Sequence, residues 1–392
     1  MAWELGGNMG HIDRMLLVAR ELRVRGHEAV FVLKDLSRAH DRVVAAGFTV
    51  LQAPVWLPRM VRQPPLSNFC TVLAAAGWLD VRGLCGLLSA WRALFDLVRP
   101  DLLMCDHAPT AMLAARGRTL PVATVGNGFQ IPPVGEHFPA LRYWDASERA
   151  RCAQSDATLL PNANQALALL GDAPMPRLTA LFSDVCCIIA SLPELLHYPD
   201  YPASVHIVGP SFVADQGVAP QWPAGDGPRV FVYLSPEHAD FVPLMLALRD
   251  GGYCTLVHAK GLSPELAQSL AGPSIRFESS PVKAGSTVRA ARIVITHASI
   301  GTVSAAALAG CVQLALPNHM EQYMVARRMV DAGIGLAIEP GSRGTDFGAV
   351  LRRLLDDRRH ADAAAALAAR HRDVDADATG AQVADRLEGL LG

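Results

Sequence analysis

The sequence predicts an α/β protein built on two doubly wound parallel sheets. Two observations predict this class: short apolar runs alternate with helical patterns along the chain, and a Pro- and Gly-rich stretch divides the alternation into two blocks. Apolar runs between helices are typical of parallel strands that are buried on both faces. The predicted strands are residues 3–5, 29–33, 102–105, 122–125, 230–234, 255–257, 293–295 and 312–316.

The length of 392 residues, with 51% hydrophobic and 18% charged residues, predicts two domains, because single cores stop growing near about 250–300 residues. Four prolines lie among Gly and Asp in residues 209–228, which we interpret as the interdomain linker. We therefore expect an amino-terminal acceptor-binding domain, 1–208, and a carboxyl-terminal donor-binding domain, 229–392. The helical tail from Asp346 is able to pack back on the first domain.

Composition excludes several classes of partner. A net charge of −2 and a pI near 6.7 provide no broad basic surface for nucleic acid. Eight scattered cysteines form no zinc or disulfide pattern and fit a reducing cytoplasm. The longest uncharged run, 303–319, is shorter than the ~20 apolar residues of a membrane-spanning helix, and no export signal is present. We expect a cytoplasmic monomer or homodimer with no integral membrane segment.

A Gly-rich loop, residues 6–11, follows the first predicted strand and opens a helix. Glycines let the backbone approach a ligand closely at the carboxyl edge of a parallel sheet. The loop ends in His11, whose imidazole can take a proton from an acceptor hydroxyl as a general base. Asp106, after strand 102–105, is placed to orient that imidazole. The alternatives are helix-capping roles for both residues, and His107 is a weaker competitor as the partner.

A second motif, residues 296–302, follows predicted strand 293–295 and opens a helix. Free backbone amides and small hydroxyls at a helix N-terminus form an anion site, so a diphosphate is the expected ligand. The alternative is an ordinary capped helix with a buried histidine. The predicted donor contacts in and beyond this motif are Gly10, Ser235, His297, Ser299, Gly301 and Thr302.

A third motif lies after strand 312–316, where Glu321 and Gln322 open another helix. An adjacent carboxylate and amide suit the hydroxyl groups of a sugar. The alternative for Glu321 is an ordinary first-turn carboxylate that the helix dipole favours. We expect both residues to bind the donor sugar.

Residues 54–98 are apolar, rich in Trp and Arg and poor in strand signals, which indicates helices and loops beside the ligand site. Their aromatic side chains favour an apolar or aromatic acceptor, although core packing explains them equally well. The predicted acceptor contacts are Trp56, Phe69, Trp78 and, farther along the chain, Phe129.

No metal site is predicted. Asp373, Asp375 and Asp377 alternate like a metal-binding acidic motif, but they lie in a charged helical tail rather than after a buried strand. A solvated turn is the favoured interpretation.

The order and spacing of the three motifs resemble those of the family 1 nucleotide-sugar glycosyltransferases, including the macrolide glycosyltransferases, over nearly the whole chain. In that family a GxxGH loop supplies the base and a second pattern binds the donor. The second pattern is matched by His297, Gly301, Thr302, Pro317, Glu321 and Gln322. The resemblance implies the GT-B fold, in which two Rossmann-like domains face each other across a cleft.

The resemblance also implies an inverting transfer by direct displacement, with His11 as base and Asp106 as its partner. It implies no metal and no cofactor, the nucleotide diphosphate sugar (UDP- or dTDP-sugar) being a substrate. The acceptor is expected to be a hydroxyl or other nucleophile on a small-molecule, natural-product or lipid compound.

Two positions and one loop depart from the family pattern. Ser299 replaces a glycine, Ala305 replaces the glutamate that grips the donor ribose, and residues 235–238 replace a Gly- and Ser-rich turn. Two alternatives therefore stay open: a nucleotide-sugar epimerase of the same fold, and a non-catalytic nucleotide-sugar-binding accessory protein. Retention of His11 and Asp106 argues against the second.

Overall fold

The computed structural model describes residues 1–7, 9–58, 66–212 and 217–392. The chain divides into two compact units. The first unit comprises Met1–Ser191, Tyr198–Ser211 and Asp377–Gly392, and the second comprises Leu192–His197 and Phe212–Ala376. Asn8 of the Gly-rich loop, residues 59–65 of the aromatic segment and residues 213–216 of the predicted linker lie outside the described residues.

The first unit contains a parallel sheet of seven strands. These are β1 Ala2–Trp3, β2 Val30–Leu33, β3 Thr49–Gln52, β4 Leu103–Asp106, β5 Val122–Gly126, β6 Cys186–Ala190 and β7 His206–Val208. Their order is β3-β2-β1-β4-β5-β6-β7, and every neighbouring pair is parallel.

Helices flank this sheet. They are α1 Gly10–Val24, α2 Leu36–Ala45, α3 Phe69–Leu73, α4 Val81–Val98, α5 Pro109–Ala115, α6 Arg149–Leu169 and, from the end of the chain, α14 Thr379–Glu388. Helix α1 buries the apolar stripe of Ile12, Met15 and Ala19 in the core of the first unit. Helix α14 packs in the same core, and Arg25 at the end of α1 pairs with its Asp385 at 2.6 Å.

The second unit contains a parallel sheet of six strands. These are β8 Arg229–Tyr233, β9 Cys254–His258, β10 Ile275–Glu278, β11 Ile293–Thr296, β12 Val312–Ala315 and β13 Gly335–Ala337. Their order is β10-β9-β8-β11-β12-β13, with parallel pairing throughout. The helices are α7 Phe241–Asp250, α8 Pro264–Leu270, α9 Ala284–Ala290, α10 Ile300–Leu308, α11 Met320–Asp331, α12 Phe347–Asp356 and α13 Arg358–Arg370.

The short segment Leu192–His197 belongs to the second unit, although the chain on both sides of it belongs to the first. Leu192 and Leu195 pack in a core cluster of the second unit, and Glu194 pairs with Arg370 and His371 at 3.1 and 2.8 Å. Both apolar contacts and ion pairs thus fix this segment.

The predicted fold class, two doubly wound parallel sheets, is confirmed. All eight predicted strands are present, with bounds that differ by one or two residues. Strands β3, β6, β7, β10 and β13 were not predicted; most of them are short and only partly buried at the sheet edges. Among the described residues no single helix is long and apolar enough to cross a membrane, although the consecutive helices Phe69–Trp78 and Val81–Val98, bent by 84°, pass that test as a pair.

Candidate active site

The strand order of the first sheet brings the carboxyl ends of β1 and β4 together. The winding of the sheet reverses between these two strands, and doubly wound sheets bind ligands beyond the carboxyl ends at such a switch point. Trp3 pairs in register with Asp106. The Gly-rich loop after β1 therefore adjoins the end of β4, although about a hundred residues separate them in sequence.

His11 and Asp106 form a buried hydrogen-bonded pair. His11 lies in the first turn of α1, and its Nδ1 is 2.6 Å from Oδ1 of Asp106. The two residues are 7% and 0% exposed. A carboxylate only accepts hydrogen bonds, so Nδ1 carries the hydrogen and Nε2 keeps the lone pair in the neutral imidazole. The capping alternatives do not apply, because the N-cap residues of α1 and α5 are Met9 and Ala108.

The His11 ring is confined on several sides. Gly6 has a φ of +85°, and a Cβ at this position would lie only 2.4 Å from His11 Nε2. Trp3 stacks on the ring at 5.4 Å between centroids, and His107 stacks at 6.2 Å. Lys34 fixes the loop by donating to the Gly6 carbonyl at 2.7 Å. The glycine is therefore required both for the backbone conformation and for room beside the imidazole.

Two residues of this site were missed in the sequence. Arg14 Nε donates to Asp106 Oδ2 at 2.9 Å, and its Nη2 donates to Oδ1 at 3.0 Å. The same Nη2 donates to Gln130 Oε1 at 3.3 Å. Arg14 lies three residues after His11, on the same side of α1, and this spacing was the available signal. No signal in the sequence pointed to Gln130.

The charges around Asp106 favour its ionised form. Burial by itself would raise the pKa of Asp106, but the Arg14 guanidinium and the His11 ring outweigh burial and hold the pKa below its usual range. The carboxylate is therefore available as an acceptor for His11 at neutral pH. The distances and the charges both fit a base and its orienting partner.

His107, the weaker candidate for the partner, lies beside the pair rather than in it. Burial and then the neighbouring His11 lower the pKa of His107 to about 3, so the imidazole is neutral at physiological pH. Its φ of +50° is strained for a residue with a Cβ. Its Nε2 is buried and has no hydrogen-bond partner among the residues that the structure describes.

The four predicted acceptor contacts occupy different surroundings. The rings of Phe69 and Phe129 each lie 6.2 Å from the His107 ring. Phe69 is 1% exposed and packs against Phe138 and Phe182, so core packing accounts for it, whereas Phe129 is 9% exposed. Trp78 has no exposed surface and donates to Thr110 at 3.1 Å, so core packing accounts for it. Trp56 is half-buried, and its ring fills the space where a Cβ of Gly77 or Gly83 would lie.

The second sheet has the same kind of switch point, between β8 and β11, where Tyr233 pairs with Thr296. His297 follows β11 directly, and its ring lies 5.2 Å from the Tyr233 ring. Burial, followed by the neighbouring His319, lowers the pKa of His297. The next residue, Ala298, has a φ of +64°. Strained non-glycine backbone thus follows the central strand of each switch point, at His107 and at Ala298.

The N-terminus of α10 lies in this turn. Ser299 is the N-cap residue but makes no side-chain bond to the helix amides, and its Oγ lies 3.0 Å from Thr302 Oγ1. Gly301 is in the first turn. The first-turn amides are therefore not satisfied by the cap and suit an anionic ligand. Ala305 is buried and offers no acid to a ribose.

The remaining predicted donor contacts lie in both units. Ser235 follows β8, and its Oγ accepts a hydrogen bond from the Glu237 amide at 3.3 Å. A second hydrogen bond stabilises the segment after Ser235: His238 Nδ1 accepts from the Asp240 amide at 3.1 Å. Gly10 belongs to the first unit and begins α1, and no atom of the described residues lies within 4 Å of a Cβ at this position.

Glu321 and Gln322 open α11, as their position after β12 predicts. Gln322 is 7% exposed, and its Oε1 accepts a hydrogen bond from the Asn318 amide at 2.8 Å. The amide NH2 of Gln322 is therefore the group that suits a ligand oxygen. Glu321 is half-buried, and its charge acts on the buried His197 nearby in the same unit.

Within the described ranges no group of three or more His, Cys, Asp or Glu side chains is arranged to hold a metal ion. Asp373, Asp375 and Asp377 lie in the turn between α13 and α14.

The chain was compared with known proteins. No family model matches it. The zeaxanthin glucosyltransferase of Pseudescherichia vulneris is 27% identical over 373 residues, which is 88% of each chain. The calicheamicin glycosyltransferase CalG4 superposes with a TM-score of 0.71 at 20% identity over 100% of this chain and 98% of its own. The glycosyltransferase VinC, solved in complex with dTDP, gives 0.67 at 16% identity over 100% and 98%.

These similarities define the class of the protein. The solved structures give the fold, which is GT-B, and the curated relative extends over most of both chains. The chain has the GT-B fold and resembles the family 1 glycosyltransferases, as its three motifs predicted.

Proposed function

We propose that the protein is an inverting, metal-independent glycosyltransferase that moves a sugar from a UDP- or dTDP-sugar to a hydroxyl of an apolar acceptor. The observation that carries this proposal is the buried His11–Asp106 pair at the switch point of the first sheet. An imidazole with its Nδ1 hydrogen bound to a carboxylate has a lone pair at Nε2 for a proton. The resemblance to family 1 supplies the reaction in which that proton is taken.

The proposed chemical step is a single displacement. The acceptor O–H gives its proton to His11 Nε2 while the oxygen forms a bond to the anomeric carbon. The bond from that carbon to the diphosphate oxygen breaks, and the nucleoside diphosphate leaves with the electron pair. Attack opposite to the leaving group inverts the anomeric configuration. Asp106 stabilises the imidazolium that forms.

We propose that the partial positive charge at the N-terminus of α10 stabilises the leaving diphosphate without a cation. The first-turn amides of α10, including that of Gly301, and the hydroxyls of Ser299 and Thr302 are the proposed ligands. His297 donates to a phosphate oxygen, and a phosphate nearby favours its protonated form. Ser235 and Gly10 are proposed as further contacts of the donor. We propose that no cofactor takes part; the nucleotide sugar is a substrate.

The donor sugar is proposed to bind at the start of α11. Gln322 has its carbonyl committed to the Asn318 amide, so its NH2 group donates to a sugar hydroxyl. Glu321 accepts from a second hydroxyl. Since Ala305 provides no acid for a ribose hydroxyl, UDP- and dTDP-sugars are both candidate donors. The dTDP bound in VinC supports the second.

The proposed acceptor is an apolar alcohol or phenol. Phe129 is 9% exposed and lies beside His107, and thus near the proposed base, and an apolar ring there suits an apolar acceptor. Phe69 is 1% exposed and is proposed only to support His107 from the core. Trp56 is proposed to contribute at greater distance. The relative that is named for zeaxanthin supports a hydroxylated apolar acceptor.

The test is a product assay. The protein is incubated with UDP-glucose or dTDP-glucose and a panel of hydroxylated apolar compounds, in EDTA and with added Mg²⁺. We expect nucleoside diphosphate release that depends on the acceptor, a β-glycoside by its NMR coupling constant, and equal rates with and without the cation. Conversion of the donor alone to an epimer would favour the epimerase. Donor binding without turnover over the whole panel would favour an accessory protein.

A further inference from the structure

The Arg14 guanidinium is enclosed with the catalytic pair in the first unit. Arg14 is 7% exposed, and its Nη2 lies 2.8 Å from Asp106 Oδ2 in addition to its bonds to Oδ1. Gln130 holds the other side of the guanidinium, because its Oε1 accepts from both Arg14 Nη2 and the Asn127 amide. A Cβ on Gly126 would lie 2.2 Å from that Oε1. The position of the charge is therefore fixed by packing.

A carboxylate without exposed surface does not stay ionised unless a positive charge compensates it. The Asp106 carboxylate accepts hydrogen bonds from His11 and Arg14. His11 compensates the charge only as an imidazolium, which has no lone pair and cannot act as a base. A guanidinium is charged at every working pH. With Arg14 present, Asp106 is compensated while His11 is neutral.

We propose that Arg14 is a positioning residue that keeps Asp106 ionised while His11 is neutral, so that the base is ready for the acceptor at neutral pH. This inference rests on the proposed function. During the displacement the acceptor proton moves to His11 Nε2, and the net charge of the trio of His11, Asp106 and Arg14 rises from zero to +1. The proton leaves to solvent after the glycoside departs, which restores the neutral trio.

Other titratable groups also face His11. His107 stacks on its ring, Lys34 donates to the carbonyl of Gly6, and Glu4 accepts from the Thr110 amide at the start of α5. Glu4 has a pKa that burial raises to about 7. All of these groups are common to the parent and to an Arg14 variant. A difference between the two pH profiles therefore isolates the guanidinium.

The experiment compares Arg14→Met with the parent. The methionine keeps an unbranched apolar stem and removes the charge. We expect kcat/KM for the acceptor at pH 7 to fall about 100-fold, and we expect at least a tenfold recovery by pH 9.5, because His11 then releases its proton. The donor Kd stays within threefold. The control is Arg42→Met on α2, which removes an ion pair to Asp13, the neighbour of Arg14 on α1, and does not involve Asp106. We expect the pH profile of this variant to match that of the parent.

If Arg14→Met lowers kcat/KM by the same factor at all pH values and the acid limb of the profile does not move, Arg14 has a structural role and the inference is overturned. A profile of Arg14→Met that matches that of the parent would also overturn it. Arg14→Lys keeps the charge, and its acid limb is expected within about half a unit of the parent. In an Asp106→Asn background, Arg14→Met should cost no more than about threefold, since its effect acts through that carboxylate. A cost equal to that in the parent background would contradict this.

NMR titration of labelled histidine gives a readout that does not depend on turnover. The His11 signal, assigned with His11→Gln, should titrate at least one unit higher in Arg14→Met than in the parent. Equal titration midpoints would overturn the role of Arg14 whether or not the enzyme is active. Absence of any glycoside product from the parent would instead refute the proposed function, so the two failures are distinguishable.

Discussion

The Gly6→Ala substitution tests whether His11 acts from the position in which the loop holds it. A Cβ at Gly6 would lie 2.4 Å from His11 Nε2 and 3.0 Å from Cε1. The ring must therefore move by about 1 Å to regain ordinary van der Waals contact. A displacement of that size costs about 100-fold in rate, which corresponds to about 2.7 kcal/mol of transition-state stabilisation.

The backbone contributes a separate cost. Gly6 has a φ of +85°, and an alanine in this region lowers the free energy of unfolding by about 1 kcal/mol. Gly117→Ala is the matched control, because its φ is +76° and no atom lies within 4 Å of the added Cβ. It has the same strain without the contact with the base.

The assay measures nucleoside diphosphate release at saturating donor and acceptor, together with urea unfolding of each variant. We expect both variants to lose about 1 kcal/mol of stability and Gly6→Ala alone to lose about 100-fold in kcat. A kcat for Gly6→Ala within threefold of the parent would refute the reasoning. An equal loss in Gly117→Ala would assign the effect to backbone strain.

Three further predictions concern single side chains. Burial raises the pKa of Glu4 to about 7, so the protonated carboxyl stabilises the fold fully below pH 4.5, and this stabilisation is lost as the pH rises through 7. Glu4→Gln does not titrate, so between pH 5 and pH 8 its free energy of unfolding should rise by on the order of 3 kcal/mol relative to that of the parent. Urea unfolding of both proteins at the two pH values measures this difference. Asp106→Asn should lower kcat by about 100-fold or more, because it removes the carboxylate that selects the His11 tautomer; a change of less than threefold at saturating acceptor would contradict this. His297→Gln should raise the Kd of the nucleoside diphosphate about tenfold or more in calorimetry, whereas His360→Gln, far along the chain, should leave it unchanged.

The fold was predictable where strands are buried on both faces. Strands such as β8 and β11 consist of unbroken apolar runs, which sequence patterns reveal directly. The edge strands β3 and β10 have mixed residues because one side of an edge strand is partly exposed. The apolar run of β6 stands between Asp184 and Ser191 in the sequence, but it lies after a long helix and irregular turns and was not assigned as a strand.

The site was predictable where its residues follow strand ends. His11, Asp106 and His297 were assigned from their place after strands β1, β4 and β11, since the carboxyl ends of parallel strands share one edge. Arg14 and Gln130 were not, because their role depends on which side chains meet in three dimensions. The sequence distance of 116 residues between them leaves no pattern to read.

The aromatic residues show the same limit. Composition favoured Trp56, Phe69, Trp78 and Phe129 as a group, but only packing separates them. Phe129 keeps some exposed surface beside His107, whereas Phe69 and Trp78 are buried in the core, Trp78 with a hydrogen bond to Thr110. Core and ligand-facing aromatic residues have the same sequence signature.

The role of His11 as the base is the central claim, and His11→Ala tests it most directly. Turnover of nucleotide sugar and acceptor is measured at saturating concentrations of both, and donor binding is measured separately by calorimetry. We expect kcat to fall by about 100-fold or more while the donor Kd stays within about threefold of the parent. Turnover within a few fold of the parent, with intact donor binding, would contradict the claim.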